Sequence, residues 1–284
     1  MENELNSIIQ LRTSLQVGWA TSNCEAIDIK WVYQIKCDTT GNIIHYKAWL
    51  IAKGFTQKPG INFDETFALV AKIESIRLLC AIAAVLDWEI YVIDIDSAFP
   101  NSEIPKDQPA YVKQPTGYEA KGKEHLVWLL LKVLYGLKQS GYLWYNKLKL
   151  ILTQIGFQTC RSDPCVFYQT SPTSTSIIAS HVDDLGLYCS SVPKLQSLKS
   201  SINAHVSFKD QGNITHILSI EIIRNQTACT ISFLHRHYID LMLKIFCLED
   251  VNPIQMPAAT GDVLSAQDCP TSAKEIQYMQ RVPY

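Results

Sequence analysis

Ile177-Ile178-Ala179-Ser180-His181-Val182-Asp183-Asp184-Leu185-Gly186-Leu187-Tyr188-Cys189 places two adjacent carboxylates inside an otherwise apolar run. Neighbouring side chains of a strand point to opposite faces. A continuous strand here would therefore drive one charge into the core, at a cost of several kcal/mol. A tight turn removes the conflict. With residues 177–182 and 185–189 as paired strands, both aspartates lie at or beside the tip, open to water and divalent cations. A solvated Asp-Asp turn is the ordinary alternative for an isolated pair, so the rest of the chain has to decide.

Working outward, Glu89-Ile90-Tyr91-Val92-Ile93-Asp94-Ile95 reads as a buried strand ending in acid, preceded by a mostly apolar helix over residues 75–86. Residues 30–36 and 43–51 are β-rich runs around the turn sequence Asp38-Thr39-Thr40-Gly41-Asn42, which predicts a hairpin. Residues 142–155 carry Leu148, Ile151, Leu152 and Ile155 on one helical stripe, with Gly156 in the terminating place. A short helix follows the acidic hairpin, with Pro193 in its first turn and Leu195, Leu198 and Ile202 on its apolar side. Residues 217–223 read as one strand and 237–246 as a helix, ahead of a Pro-containing tail. Irregularly alternating helices and strands joined by short turns predict an α+β fold with mostly antiparallel pairing. Residues 1–28 form a poorly specified lead-in, 29–250 the main body and 251–284 a tail.

The chain has 284 residues, 47% of them hydrophobic, enough to bury a sizeable core. It contains no apolar run long enough to span a bilayer, and Met1-Glu2-Asn3-Glu4 lacks the basic start of a secretion signal, so cytosolic residence is the default expectation. Nine scattered cysteines without a Cys-x-x-Cys pair read as reduced core thiols. A net charge of −2 decides nothing about nucleic acid, because binding depends on where positive charge sits. Residues 121–150 are locally basic: Lys121, Lys123, Lys132, Lys138, Lys147 and Lys149 face Glu124 alone, interleaved with Trp128, Tyr135, Tyr142, Trp144 and Tyr145. Composition leaves two readings of that segment open, a phosphate-neutralising and base-stacking surface, or a helix with a wet lysine face and an aromatic core face.

Asp94, Asp183 and Asp184 come from strand ends far apart in sequence, which is how a fold builds a convergent site on rigid elements. Three crowded carboxylates repel one another, and divalent cations relieve that repulsion. Mg²⁺ favours one or two carboxylates together with phosphate oxygens and water. Two such ions about 3.5–4 Å apart serve phosphoryl transfer by activating an attacking hydroxyl and stabilising the leaving oxygen. Nucleotide polymerisation is a reaction of that kind, and a metal-dependent nuclease is another.

Several motifs, in order, resemble the reverse transcriptases of Ty1/copia-type retrotransposons. They are Lys30-Trp31-Val32-Tyr33, Lys47 to Gln57, Phe63 to Arg77, Asp94 to Phe99, Leu134-Tyr135-Gly136-Leu137-Lys138-Gln139, Ser162-Asp163-Pro164 and His181 to Asp184. The resemblance implies a right-hand fingers and palm arrangement with a mostly antiparallel palm sheet, a partial thumb and no ribonuclease H domain. It implies RNA-directed DNA polymerisation in which Asp94, Asp183 and Asp184 are the catalytic acids and hold two Mg²⁺ ions, with Mn²⁺ as the alternative. It further implies Phe99 beneath the incoming sugar, Gln139 touching the nucleotide, and Lys47 and Lys53 holding the triphosphate. Lys132, Lys138 and His181 are the implied contacts to the nucleic acid. The implied partners are an RNA or DNA template with its primer and dNTPs, with no membrane. Integrase and ribonuclease H are the expected polyprotein neighbours, missing from this chain. A cytoplasmic location in virus-like particles is likewise implied.

The chain also departs from the family pattern. His181 stands where a tyrosine is usual and Trp49 where an arginine is usual; Pro100 and Ser102 replace Leu and Gly, and Ser219 replaces another glycine. A serine at a position that requires positive φ strains the turn by roughly a kcal/mol or more. Asp96 adds a carboxylate two residues from Asp94. These changes predict low turnover, and a non-catalytic nucleic-acid-binding remnant or co-opted fold is the rival expectation. The C-terminus is expected to be cut before the connection and ribonuclease H regions.

Overall fold

A computed structural model describes residues 1, 14–17, 26–37, 42–67, 69–252, 265 and 269–280. Most of the lead-in, the predicted turn over 38–41 and most of the tail lie outside the described residues. The chain runs through β1 (Ser14–Val17), β2 (Ile29–Cys37), β3 (Ile43–Ala52), α1 (Ile73–Val85), β4 (Glu89–Ile95), β5 (Ala110–Val112), β6 (Val127–Leu130) and α2 (Ser140–Gln154). It continues through β7 (Gln158–Thr159), β8 (Val166–Thr170), β9 (Thr175–His181), β10 (Asp184–Cys189), α3 (Val192–Asn203) and β11 (Phe208–Asn213). The remaining elements are β12 (His216–Ile217), β13 (Ile220–Asn225), β14 (Thr230–Leu234), α4 (Arg236–Ile245) and α5 (Ala273–Met279). The chain divides into two compact units, residues 1–214 with 224–231, and residues 215–223 with 232–284.

In the first unit, six strands lie in the order β11-β4-β10-β9-β8-β7, antiparallel at every junction. The expected α+β class and antiparallel pairing hold. Strand β4 lies inside this sheet because Ile90, Val92, Ile93 and Ile95 supply apolar groups to both faces, and all four are buried. Helix α1 packs against the face that carries Asp94, Asp184 and Tyr188, with Cys80 Sγ 3.7 Å from the Tyr188 hydroxyl. Helix α3 covers the reverse face. Its Lys199 ammonium lies 3.9 Å over the Tyr91 ring and donates to Asp210 Oδ2 at 2.6 Å, so a buried cation has both a ring face and a carboxylate.

The β2–β3 hairpin pairs from Ile29↔Ala52 outward, as predicted for this segment. Its base enters a second core with the β1-β6-β5 sheet, built on Ile27, Leu50, Ala110, Val112, Trp128 and Leu130. Two glycines let the hairpin root pass against the 134–139 loop. A Cβ on Gly54 would sit 2.1 Å from the Gly136 carbonyl oxygen, and one on Gly136 would sit 2.2 Å from the Ala52 oxygen. The Ala52 N–H donates to the Tyr135 carbonyl at 2.8 Å across the same contact.

Three expectations change. Part of the lead-in is ordered, since Ser14–Val17 pairs antiparallel with β6. The strand expected over 217–223 is a hairpin, because Leu218 and Ser219 turn with φ of 51° and 64° between Ile217 and Ile220. Not all described thiols are in the core: Cys80, Cys165 and Cys189 are buried and Cys160 is partly covered, while Cys229, Cys247 and Cys269 are exposed. In the second unit, helix α4 has no buried residue.

Candidate active site

Strand register sets the acids. Asp184 stands directly opposite Asp94 across β10 and β4, His181 opposite Asp184 across β9 and β10, and Lys209 opposite Asp94 across β11 and β4. Directly opposed residues share a face, so His181, Asp184, Asp94 and Lys209 form one row over four strands. Asp183 shares with Val182 the two-residue turn between β9 and β10. Val182 has φ of 56°, the sign pattern of a type II′ hairpin, in which glycine is the usual first turn residue. Both turn carbonyls are held: Trp144 Nε1 donates to Val182 O at 2.8 Å and Ile95 N to Asp183 O at 2.8 Å.

Burial, then the charges of Asp94 and Asp184, push the Asp183 carboxyl up to about 6, partly offset by Lys47. Asp184 is also raised, by burial and by Asp94, against the opposing pull of His181. Ionising these half-buried acids side by side costs more than ionising a free carboxylate, and added positive charge offsets that cost. Asp183 Oδ1 and His181 Nδ1 are buried with no hydrogen-bond partner. Among the described residues, no three His, Cys, Asp or Glu side chains form a cage for an ion by themselves. The donor set nonetheless suits Mg²⁺, a hard cation that binds one or two carboxylates and leaves its other positions to phosphate and water. The partnerless Asp183 oxygen is the observation that fits such an ion.

The other predicted residues are placed unequally. Lys47 is near enough to lower the Asp183 carboxyl, while its ammonium lies 4.5 Å over the Trp49 ring. Lys53 is 3.6 Å from Asp28 Oδ2, and Asp28 also pairs with Lys113 at 2.7 Å. Phe99, in a short 3₁₀ turn, is partly buried and meets Tyr135 edge-on at 5.1 Å between ring centroids. Gln139 is 4% exposed, and its amide is used internally: Oε1 accepts from Gln57 Nε2 at 3.0 Å and Nε2 donates to Asn62 O at 3.3 Å. Lys138 is exposed, with its ammonium 5.1 Å over the Phe63 ring, and Lys132 is half-buried. Of the aromatics in the basic segment, Trp128, Trp144 and Tyr145 are buried. For these three, the aromatic core face is what forms.

Sequence reasoning missed Trp144 and Asp163. Asp163 is buried, and its carboxylate accepts Lys72 N at 2.9 Å and Cys165 N at 3.1 Å. Ser162-Asp163-Pro164 was visible as a motif, but nothing local named the α1 start as its partner.

Residues 15–260 match the family described as reverse transcriptase (RNA-dependent DNA polymerase). The retrovirus-related Pol polyprotein from transposon TNT 1-94 of Nicotiana tabacum is 35% identical over 256 residues, covering 90% of this chain and 19% of that protein. The retrovirus-related Pol polyprotein from transposon RE1 of Arabidopsis thaliana is 31% identical over 265 residues, 93% of this chain and 18% of that protein. Among solved structures, a foamy viral protease-reverse transcriptase in complex with ds DNA overlays at a TM-score of 0.45 and 12% identity, over 98% of this chain and 39% of that one. The chain belongs to the reverse transcriptase (RNA-dependent DNA polymerase) family, and within it to the copia type that its motifs resemble. It spans about a fifth of the length of these Pol polyprotein relatives.

Proposed function

We propose that this chain extends a primer on an RNA or DNA template, adding dNTPs, with the six-stranded sheet as the palm and the β2–β3 hairpin as the fingers. The observation that carries the reading is the in-register opposition of Asp94 and Asp184, with Asp183 on the adjoining turn. Asp94, Asp183 and Asp184 would hold two divalent cations, Mg²⁺ or Mn²⁺, which when bound supply activation of the primer 3′-hydroxyl and charge neutralisation at the phosphates. The 3′-hydroxyl attacks the α-phosphate of the dNTP and pyrophosphate leaves. Lys47 would meet triphosphate charge, Phe99 with Tyr135 would pack against the incoming nucleotide, and Lys132, Lys138 and His181 would meet template and primer. Lys53 reaches a phosphate only by leaving Asp28, and Gln139 reaches the nucleotide only by releasing Gln57 and Asn62. With Trp49 in place of a guanidinium and His181 in place of a phenol, turnover is slow.

The test is primer extension on an RNA template with dNTPs and Mg²⁺ or Mn²⁺. The unaltered chain, Asp183→Asn, and the pair His181→Tyr with Trp49→Arg are compared. Extension lost in Asp183→Asn and increased in the paired variant is expected. Extension that survives Asp183→Asn overturns the site. Salt-sensitive template binding with no extension in any variant replaces the polymerase reading with simple binding.

A further inference from the structure

The acidic turn cannot hold its own shape. Its first residue is β-branched Val182 with φ of 56°, where only glycine is at ease. A conformation of that kind persists where surrounding contacts impose it. Strand pairing fixes both ends of the turn, and the Ile95 N–H fixes the Asp183 carbonyl. The remaining carbonyl, of Val182, is held by the Trp144 indole N–H at 2.8 Å.

That donor is itself fixed. Trp144 is 2% exposed, on a helix anchored at its start by Ser140 Oγ donating to Leu134 O at 3.0 Å. One residue on, the Tyr145 hydroxyl donates to Pro164 O at 3.1 Å. Between Leu69, Gly141, Trp144, Tyr145, Ser180 and Val182 the free space is only about 10 Å³. That is at the lower limit for one water, so solvent is a poor substitute for the indole N–H.

We propose that Trp144 is a positioning residue for the acidic turn: by holding the Val182 carbonyl, its N–H keeps residue 182 left-handed and the Asp183 carboxylate aimed beside Asp94 and Asp184. This rests on the reading of Asp183 as a cation-binding acid. Removing the N–H while keeping an aromatic ring weakens cation binding without unfolding the chain. Making residue 182 a glycine removes the need for the tether.

The experiment is Mn²⁺ titration of the free protein by electron paramagnetic resonance, with circular dichroism as the check of fold. The unaltered chain, Trp144→Phe, Trp144→Phe with Val182→Gly, and Asp183→Asn are compared. Trp144→Phe is expected to weaken Mn²⁺ binding about tenfold, the low end for residues that orient ligands, and the added Val182→Gly to restore most of it. Unchanged binding in Trp144→Phe, or no recovery in the double variant, overturns the proposal while weakened binding in Asp183→Asn leaves the site intact. Unchanged binding in Asp183→Asn overturns both the proposal and the site on which it rests. Should phenylalanine unfold the chain, benzothienylalanine at position 144 keeps the bicyclic shape without the N–H and reads the same outcomes.

Discussion

Asp163 closes the start of a helix far back in the chain, with its Oδ2 accepting the N–H of Lys72, 91 residues before it, at 2.9 Å. Lys72 precedes Ile73, the first residue of α1, and no side chain of its own caps that helix. Burial by itself would raise the Asp163 carboxyl. Hydrogen bonds from the Ser75 side chain and the Lys72 and Cys165 N–H groups, with the Lys72 charge, outweigh it and hold the carboxyl below its usual range. Asp163→Ala leaves buried donors without a partner and is expected to cost about 2 kcal/mol in denaturant unfolding. Because the folded group is lowered, its contribution is present above the ordinary carboxylate range and lost as pH falls through the folded value. The gap between the two proteins therefore narrows under acid, and a gap that widens there contradicts the cap.

Asp183 carries the opposite sign. Its carboxyl is raised to about 6 by burial and by Asp94 and Asp184, so the ionised form disfavours the folded state. That cost is absent below the ordinary value near 3.8, grows as pH rises, and is complete above about 6. In chelator, Asp183→Asn should melt higher than the unaltered chain at pH 8, with the advantage vanishing below pH 4. Mg²⁺ should then raise the melting temperature of the unaltered chain more than that of the variant. Equal melting curves at pH 8 in chelator would show that neither burial nor the neighbouring carboxylates burden the ionised Asp183.

The contact of Gly54 with Gly136 leaves no room for a methyl group. Gly54→Ala places Cβ 2.1 Å from the Gly136 oxygen, so backbone has to move. The expected loss is about 2–3 kcal/mol, and Gly136→Ala should lose more, because its φ of 89° adds strain to the clash. Urea unfolding of both variants checks the order.

Ser219 and Ser102, both expected from the motifs to stand where the family has glycine, differ in their consequences. Ser219 has φ of 64°, so Ser219→Gly should stabilise the β12–β13 hairpin by about 1 kcal/mol. Ser102 has φ of −96° and no such strain; its cost is a buried hydroxyl without a hydrogen-bond partner. Hydrogen exchange in the hairpin should slow in Ser219→Gly and stay unchanged in Ser102→Ala.

What was legible in the sequence follows from the range of the forces involved. The acidic hairpin could be read because adjacent charges in an apolar run leave a turn as the economical solution, and β4 because its apolar residues are contiguous. The Leu218-Ser219 turn was hidden because Leu218 is no turn former and Ser219 only a weak one, so an apolar run looked like one strand. Gln139 reads as a surface amide until Gln57, far off in the chain, is seen to enclose it. The Trp144 and Asp163 contacts are equally non-local, and no periodicity encodes the partner of a hydrogen bond. Interleaved lysines and aromatics left two surfaces open, and only burial of Trp128, Trp144 and Tyr145 separates them.

Both neighbours of β4 in the sheet, β10 and β11, follow it in the chain beyond α2. A chain growing from a ribosome therefore exposes β4, with its buried set Ile90, Val92, Ile93 and Ile95, as a strand with two open edges until β10 emerges and one until β11 follows. Asp94 at its end has no opposing carboxylate during that interval. The proposed cation site would come into being only on the late docking of the acidic hairpin, so cation binding would secure the sheet once formed and would not nucleate it.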